Sequence, residues 1–226
     1  MFSMSMRALH LVSPAALAAS PRRFTLAALA GRFVELSGRG ASSVLSVAVQ
    51  LVLEAQRQGK NTVWVSLSPT RRAVPFHAPD VAAAGVDLRA LPVVIAPGPL
   101  EAGRAASHLL RSGAFALVVL DLVPAVEPAL ELPLPLQARL TGLAQTHGSV
   151  LLALTDKPPE AGSLGSLVSL HAHVSRARTG EAAWANDTAS DGYARFAVEV
   201  VARKDKRNGP GWTHREVFRA PAGLST

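Results

Sequence analysis

The residues with the clearest chemical meaning lie in a glycine-containing stretch, 38–46, between a predicted strand and a predicted helix. This arrangement binds nucleotide phosphates in many proteins, because free backbone N–H groups and the helix dipole attract the anion. In ATPases the loop ends in Gly-Lys-Ser/Thr, where the lysine neutralises the β- and γ-phosphates and the hydroxyl binds Mg²⁺. Here the loop begins at Gly38 and ends in Ser43, Val44 and Leu45, so two aliphatic side chains stand where the cation and the metal-binding hydroxyl are needed.

The substitution of both groups predicts that the chain does not bind ATP productively, holds no cofactor there and has no catalytic residue. Arg39 lies at the start of the loop and Ser46 comes one residue late, so neither replaces the lost group. The missing contacts are charge-assisted, which makes them the strong ones in a phosphate site. The alternative is that this stretch is an ordinary strand-to-helix turn that never bound a nucleotide.

A second chemically suggestive group is the basic cluster of Arg203, Lys204, Lys206 and Arg207, which follows a predicted strand. Such a cluster is able to follow a phosphate backbone or to contact an acidic partner. The net charge of +7 also favours acidic partners. Two alternatives remain open: the cluster is a solvated strand end, and the charge reflects an arginine-rich composition.

Metal and thiol chemistry have little support in the sequence. His171 and His173 fall on one face of a predicted strand, but two ligands without a third make a weak zinc site. We expect them to be surface or half-buried histidines and predict no metal site. The chain has no cysteine, which excludes disulfides and cysteine nucleophiles and fits a reducing compartment. Trp64 is predicted to lie in the core, whereas Trp184 and Trp212 are either interface anchors or buried.

Alternating hydrophobic patterns define the elements that would position these residues. Strands are predicted at 31–36, 61–67, 91–95, 115–121, 149–154, 168–178, 193–203 and 213–218. Helices are predicted at 24–30, 43–58, 79–84, 99–112 and 136–146. Strands that alternate with helices, followed by a run of strands, indicate an α/β fold. The prediction is a mostly parallel sheet with helices on both faces and an antiparallel C-terminal extension.

Length and composition fit one folded core. The chain has 226 residues, of which 49% are hydrophobic and 17% charged. We predict a lead at 1–23, a core domain at 24–220 and a tail at 221–226. Residues 1–20 loosely resemble a signal peptide, but His10 and Pro14 interrupt the apolar stretch, so we expect a short helix or a lead instead. The longest apolar run, 114–120, is too short to span a bilayer, so no membrane partner is expected.

Several stretches of the chain resemble the core of the RecA recombinase family, in the same order. Residues 31–38 are similar to the Gly-Arg-x-Val-Glu-Ile-x-Gly strand before the family's phosphate loop, and 117–121 resemble its Walker B strand, which ends in Asp121. Further similar stretches are 55–60, 85–91, 110–114, 123–128 and 200–206. The resemblance covers residues 20–220 and implies a RecA-like fold.

Departures from the family pattern imply that the ATPase is degenerate. The family's catalytic glutamate falls at or beside Ser68, and its nucleotide-sensing glutamine falls near Asp156. Asp121 remains, but without the lysine and hydroxyl it would hold Mg²⁺–ATP poorly. The family's DNA-binding loop is shortened to 157–165, and its C-terminal domain and N-terminal polymerising arm have no clear equivalent here. In active relatives, the lysines that match those of the basic cluster reach the ATP of the neighbouring subunit.

Catalytically inactive RecA relatives of this size resemble the ImuA family of accessory factors in bacterial translesion synthesis. That resemblance implies a cytoplasmic, non-enzymatic adaptor in the SOS response to DNA damage. It also implies two partners, RecA and an ImuB-type polymerase-like protein. Direct DNA binding through the basic cluster is the alternative function. A third possibility, an ATPase with a displaced phosphate loop, is disfavoured by the missing lysine.

Overall fold

The structure is a computed structural model that describes residues 24–39, 43–68, 76–123, 132–176 and 195–219. The predicted lead at 1–23, the loop residues 40–42, Trp184 and the tail at 221–226 lie outside the described residues. The side chains of Arg195 and Arg219 are likewise outside the description.

Helices form where apolar residues recur on one stripe. The described residues contain α1 (Leu26–Leu29), α2 (Val44–Arg57), α3 (Ala78–Ala83), α4 (Pro99–Arg111) and α5 (Leu134–His147). The predicted stripe of α2 is confirmed, since Val44, Val47, Ala48, Leu51 and Ala55 are all buried. Gly59 follows the helix with a φ of +68°, a conformation that favours glycine and ends the helix as predicted.

Eight strands of the described residues form one sheet. They are β1 (Arg32–Gly38), β2 (Thr62–Leu67), β3 (Val93–Ala96), β4 (Leu117–Asp121), β5 (Val150–Asp156), β6 (Leu170–Arg176), β7 (Arg195–Asp205) and β8 (Thr213–Arg219). The order is β3-β2-β4-β5-β1-β6-β7-β8. The first six positions pair in parallel, whereas β7 and β8 are antiparallel. The predicted fold class, a RecA-like α/β sheet with an antiparallel extension, is confirmed.

Two apolar layers cover the sheet. One packs α1 and α2 against Val34, Leu36 and Trp64, and the other packs α4 and α5 against Phe33 and the opposite side of the central strands. The central strands β1, β2 and β4 are buried at every position, as expected for parallel strands with helices on both faces.

The connection between β5 and β6 is the exception among the parallel crossovers, because it contains no helix. These residues, 157–169, are here called the crossover loop. The loop runs from the carboxyl end of β5 back to the start of β6, and Leu164 and Val168 anchor it in the layer that contains α5. Gly165 lies so close to the Gln137 amide that any added Cβ would overlap it.

Element boundaries differ from the predictions by a few residues. Helix α5 begins at Leu134, two residues earlier than predicted, because a proline is compatible with the first helical turn, where its missing N–H costs nothing. Strand β3 begins at Val93 and β4 at Leu117, each two residues later than predicted. The antiparallel strand β7 extends two residues further, to Asp205.

Candidate functional site

The turn between β1 and α2 lies at the carboxyl edge of the parallel strands. Gly38 is buried at the end of β1, where its carbonyl accepts the Lys157 backbone N–H at 3.1 Å. Ser43 precedes α2 but makes no side-chain cap, and its hydroxyl is buried without a hydrogen-bond partner. Val44 is buried in the α2 layer, whereas Leu45 is 45% exposed. The two residues at the cation and hydroxyl positions therefore offer only hydrocarbon.

Asp121 ends β4 at the same edge, and its carboxylate is buried. The Val123 N–H donates to Oδ1 at 3.2 Å, and the Trp64 indole N–H donates to Oδ2 at 3.4 Å. Burial raises the pKa of Asp121 to about 6, although hydrogen bonds from Val123, Trp64 and Ser66 oppose this rise. Protein donors therefore engage both oxygens of the one acid that the Walker B resemblance retains.

Two further positions, at which the resemblance places functional residues of active relatives, lie at this edge. Asp156 pairs with Gly38 in the register of β5 and β1, and its side chain is exposed. Ser68 follows β2, and its backbone N–H donates to the Ala96 carbonyl at 2.9 Å. The structure thus brings Gly38, Asp121 and Asp156 to one edge, as the resemblance implies.

Part of the basic cluster is engaged within the chain. Lys204 Nζ donates to the carbonyls of Gly165 and Ser166 at 3.3 and 3.2 Å, and Lys206 Nζ donates to Ser166 at 2.8 Å. The pKa of Lys204 is lowered by burial and by the nearby Lys206. Both lysines therefore fasten the crossover loop.

The two arginines of the basic cluster are placed differently. Arg203 is exposed at a β-bulge, where β7 carries one residue more than β6 between His171 and Ala172. Arg207 donates to the carbonyl of Ala30, which precedes β1, at 3.2 Å.

A buried ion pair involves Asp205, which lies between Lys204 and Lys206 in the sequence, and was missed at the sequence level. Arg32 Nη2 contacts Asp205 Oδ1 at 2.7 Å, with both side chains shielded from water. Asp205 also accepts the backbone N–H groups of Arg207 and Asn208 and the Trp212 indole N–H. Burial raises the pKa of Asp205, but these donors and Arg32 outweigh it, and the net pKa lies far below the ordinary value.

The tryptophan predictions have mixed outcomes. Trp64 is buried in the core, as predicted. Trp212 is half-buried and donates its indole N–H to Asp205 at 2.9 Å, so its polar end is already used within the chain.

The expectation of surface or half-buried histidines is wrong, because His171 and His173 are both buried. They share one face of β6, as predicted, and lie over Ser37 of β1. Ser37 Oγ is 2.8 Å from His171 Nε2 and 3.4 Å from His173 Nδ1. The error arose because the crossover loop covers this face. Its sequence has no hydrophobic periodicity, so the sequence pattern does not predict that the loop forms a covering layer.

Glu35 is the acid of this polar interior. Lys157 Nζ contacts its Oε1 at 3.0 Å, and the Leu164 N–H donates to its Oε2 at 2.6 Å. Thr155 also donates to Glu35, at 2.9 Å. No group of three or more metal-ligating side chains occurs within the described ranges.

The strand β3 exposes an apolar face at one end of the sheet. Val93 and Ile95 alternate with Val94, which packs toward the α4 layer. Ile95 is 53% exposed. Among the described strands, β3 pairs with β2 alone, so its outer backbone groups have no strand partner there.

Helices long and apolar enough to cross a membrane do not occur among the described residues. No family model matched the sequence.

The mostly parallel sheet with its antiparallel extension defines the class: an α/β protein with a RecA-like fold. One similar curated protein is RecA of Fusobacterium nucleatum subsp. nucleatum, which is 31% identical over 132 residues. The match covers 53% of this chain and 33% of that RecA, so it spans about a third of the relative's length. The chain therefore has a distant RecA-like relationship.

Proposed function

We propose that this protein is a non-catalytic RecA-like adaptor of the ImuA type, which acts in SOS mutagenesis and translesion DNA synthesis. It would work by contact with RecA and with an ImuB-type polymerase-like partner. A RecA-like subunit without an ATP switch would cap or destabilise a RecA filament, or deliver the mutagenic polymerase to it. The observation that carries the proposal is the pair Val44 and Leu45 in the phosphate loop of a RecA-like fold.

The proposed loss of ATP binding is supported by the side chains present at each position of the phosphate loop. Val44 is buried and Leu45 is aliphatic, so neither neutralises a phosphate or binds Mg²⁺. Asp121 has both oxygens engaged by protein donors and has a pKa raised to about 6 by burial, so an incoming metal would have to displace these bonds. By this proposal, a site that carries a lysine and a hydroxyl in active relatives is a hydrocarbon turn here, which favours a docking role over an enzymatic one.

The β3 edge supports a role in protein contact. Soluble proteins usually protect an edge strand with charges or a cover, and an exposed apolar edge favours addition of an extended segment from a partner. The opposite edge shows that protection: on β8, Arg215 pairs with Glu199 at 2.9 Å and His214 lies 3.5 Å from Glu216. In contrast, β3 consists of Val93, Val94, Ile95 and Ala96, without a charge.

The test is binding of the full chain to purified RecA and, separately, to an ImuB-type protein at moderate salt. We expect binding to both, and Ile95→Lys should weaken at least one of the two by about tenfold or more by charging the edge. Leu134→Lys is the matched control, because Leu134 is 58% exposed and lies on α5. If the full chain binds neither partner, the proposal is overturned. If Ile95→Lys and Leu134→Lys bind each partner equally well, the β3 edge is not part of the interface.

Direct DNA binding is the second candidate, and the exposed Arg203 and the net charge of +7 favour it. Lys204 and Lys206 already donate to the crossover loop, so fewer charges are free than the sequence implies. Affinity for single- and double-stranded DNA should then fall steeply with salt. An Arg203→Glu variant that keeps the wild-type affinity would remove that residue from the interface.

A further inference from the structure

The crossover loop is fastened largely by polar contacts. Glu35 accepts a hydrogen bond from the Leu164 N–H in the middle of the loop and contacts Lys157 at the start of the loop. Lys204 and Lys206 donate to carbonyls at Gly165 and Ser166. Only Leu164 and Val168 of the loop are buried apolar residues. A segment with so few apolar anchors opens more easily than a packed helix.

The two histidines lie in the interior that this loop covers. Both rings contact Ser37 Oγ, on the strand that also carries Glu35. His171 and His173 pair with Glu35 and Ser37 in the β1–β6 register, so all four side chains share one sheet face. The fastening groups and the histidines therefore belong to one polar cluster.

We propose that the crossover loop is a pH-sensitive latch, which is released when His171 and His173 take up protons.

The charges around the histidines decide the direction. From β1, Glu35 favours a charged His171, while Lys157 of the loop and Arg203 and Lys204 of β7 oppose it. Glu160 of the loop favours a charged His173, which Arg203 and a charged His171 oppose. Lys206 adds a further cation to the β7 side, close to Lys204. Two more positive charges would thus enter a cluster in which cations already outnumber acids.

Burial is the main cause that lowers the pKa of both histidines, and the neighbouring cations add to it. With the loop released, the rings meet water and their pKa rises toward the ordinary value of histidine. The released form therefore binds more protons in mildly acidic solution. The closed form is fully favoured above the ordinary histidine pKa and loses stability as the pH falls below it.

Hydrogen exchange of the full chain tests the latch, read as protection factors of the loop amides, corrected for intrinsic exchange, at about pH 7.5 and about pH 5.5. We expect protection in 157–169 to fall about tenfold or more at the lower pH, while the amides of β4 stay protected. A loop with equal protection at both pH values would overturn the proposal.

Variants separate the latch from general acid sensitivity. The double variant His171→Gln, His173→Gln should keep loop protection independent of pH, because neither residue titrates. His147→Gln, at the exposed end of α5, is the matched control and should keep the wild-type drop. Asp121→Asn should also keep it, although the pKa of Asp121 lies in the same range, at about 6. A wild-type drop in the double variant would contradict the assignment. If that variant fails to fold, His173→Gln alone should reduce the drop, and an unchanged drop there would count equally against the latch.

Discussion

Asp121 and Asp205 are two buried aspartates whose pKa values move in opposite directions. Asp205 is surrounded by donors, including the Arg32 guanidinium at 2.7 Å, and its pKa lies far below the ordinary value. Asp121 is not ion-paired within the described part of the chain, receives its indole hydrogen bond at a long 3.4 Å, and has a pKa raised to about 6 by burial. A cation and several hydrogen-bond donors therefore stabilise the charge of Asp205, whereas the hydrogen bonds that stabilise the charge of Asp121 do not offset its burial.

The contrast indicates that Asp205 is a structural carboxylate, whereas Asp121, which the Walker B resemblance retains, has no partner cation among the residues that the structure describes. The donors of Asp205 hold together the start of β1 and the turn between β7 and β8, so the charge stabilises the fold. Asp121 lies at the edge where, by our proposal, a phosphate loop has lost its cation and its metal-binding hydroxyl. A buried charge that lacks a cation is costly, and we infer that it persists at the expense of stability.

The largest expected effect comes from removing the well-compensated charge. Asp205→Asn leaves the Arg32 guanidinium buried and unpaired, which should cost about 3–5 kcal/mol in the free energy of unfolding at neutral pH. Because the pKa of Asp205 is lowered by folding, the stabilisation is present above its ordinary pKa and is lost as the pH falls further. Urea denaturation measures the change, with the exposed Asp156→Asn as the control. If Asp205→Asn lowers the free energy of unfolding by less than about 1 kcal/mol, Asp205 is not the structural charge that distinguishes it from Asp121.

Asp121→Asn should change stability in the opposite direction and by less. Because folding raises the pKa of Asp121 to about 6, the ionised form penalises the folded state as the pH rises from about 4 through 6. The neutral variant should therefore be more stable than wild type by up to about 3 kcal/mol near pH 8. The two proteins should converge near pH 4 in denaturation measured across that range. Destabilisation at every pH would mean that Asp121 is a structural charge like Asp205.

The smallest expected effect comes from the indole bond to Asp121. Trp64→Phe keeps a ring packed against Phe76 but deletes the N–H donor that favours the charged carboxylate. The pKa of Asp121 should then rise above its value of about 6, which a carboxyl NMR titration would detect. Stability should fall by about 1–2 kcal/mol, because the bond is long but the smaller ring leaves a void in the core. An unchanged titration midpoint would show that this bond contributes nothing.

Much of the scaffold was predictable from local patterns. The continuous apolar strands and the single stripe of α2 specified the parallel core, because burial on both sheet faces leaves little choice of residue. The aliphatic pair Val44 and Leu45 at the start of α2 was also visible, since the position of a phosphate loop is fixed relative to the strand and helix.

The polar interior was not predictable from the same patterns. Arg32 and Asp205 are 173 positions apart, and nothing local marks them as partners. The burial of His171 and His173 depends on a loop without periodicity, and the hydrogen bond from Lys206 depends on where Ser166 lies. Such contacts follow from tertiary packing, and neither secondary-structure propensity nor hydrophobic periodicity predicts them.

Calorimetric titration of the full chain with ATP and Mg²⁺ tests most directly whether this RecA-like fold has lost its nucleotide site. We predict no saturable heat and no thermal stabilisation at millimolar nucleotide, because the loop offers hydrocarbon where charge is required. Saturable, Mg²⁺-dependent binding that is lost in Asp121→Asn would contradict the account, since it would show a working phosphate site at the carboxyl edge of β1 and β4.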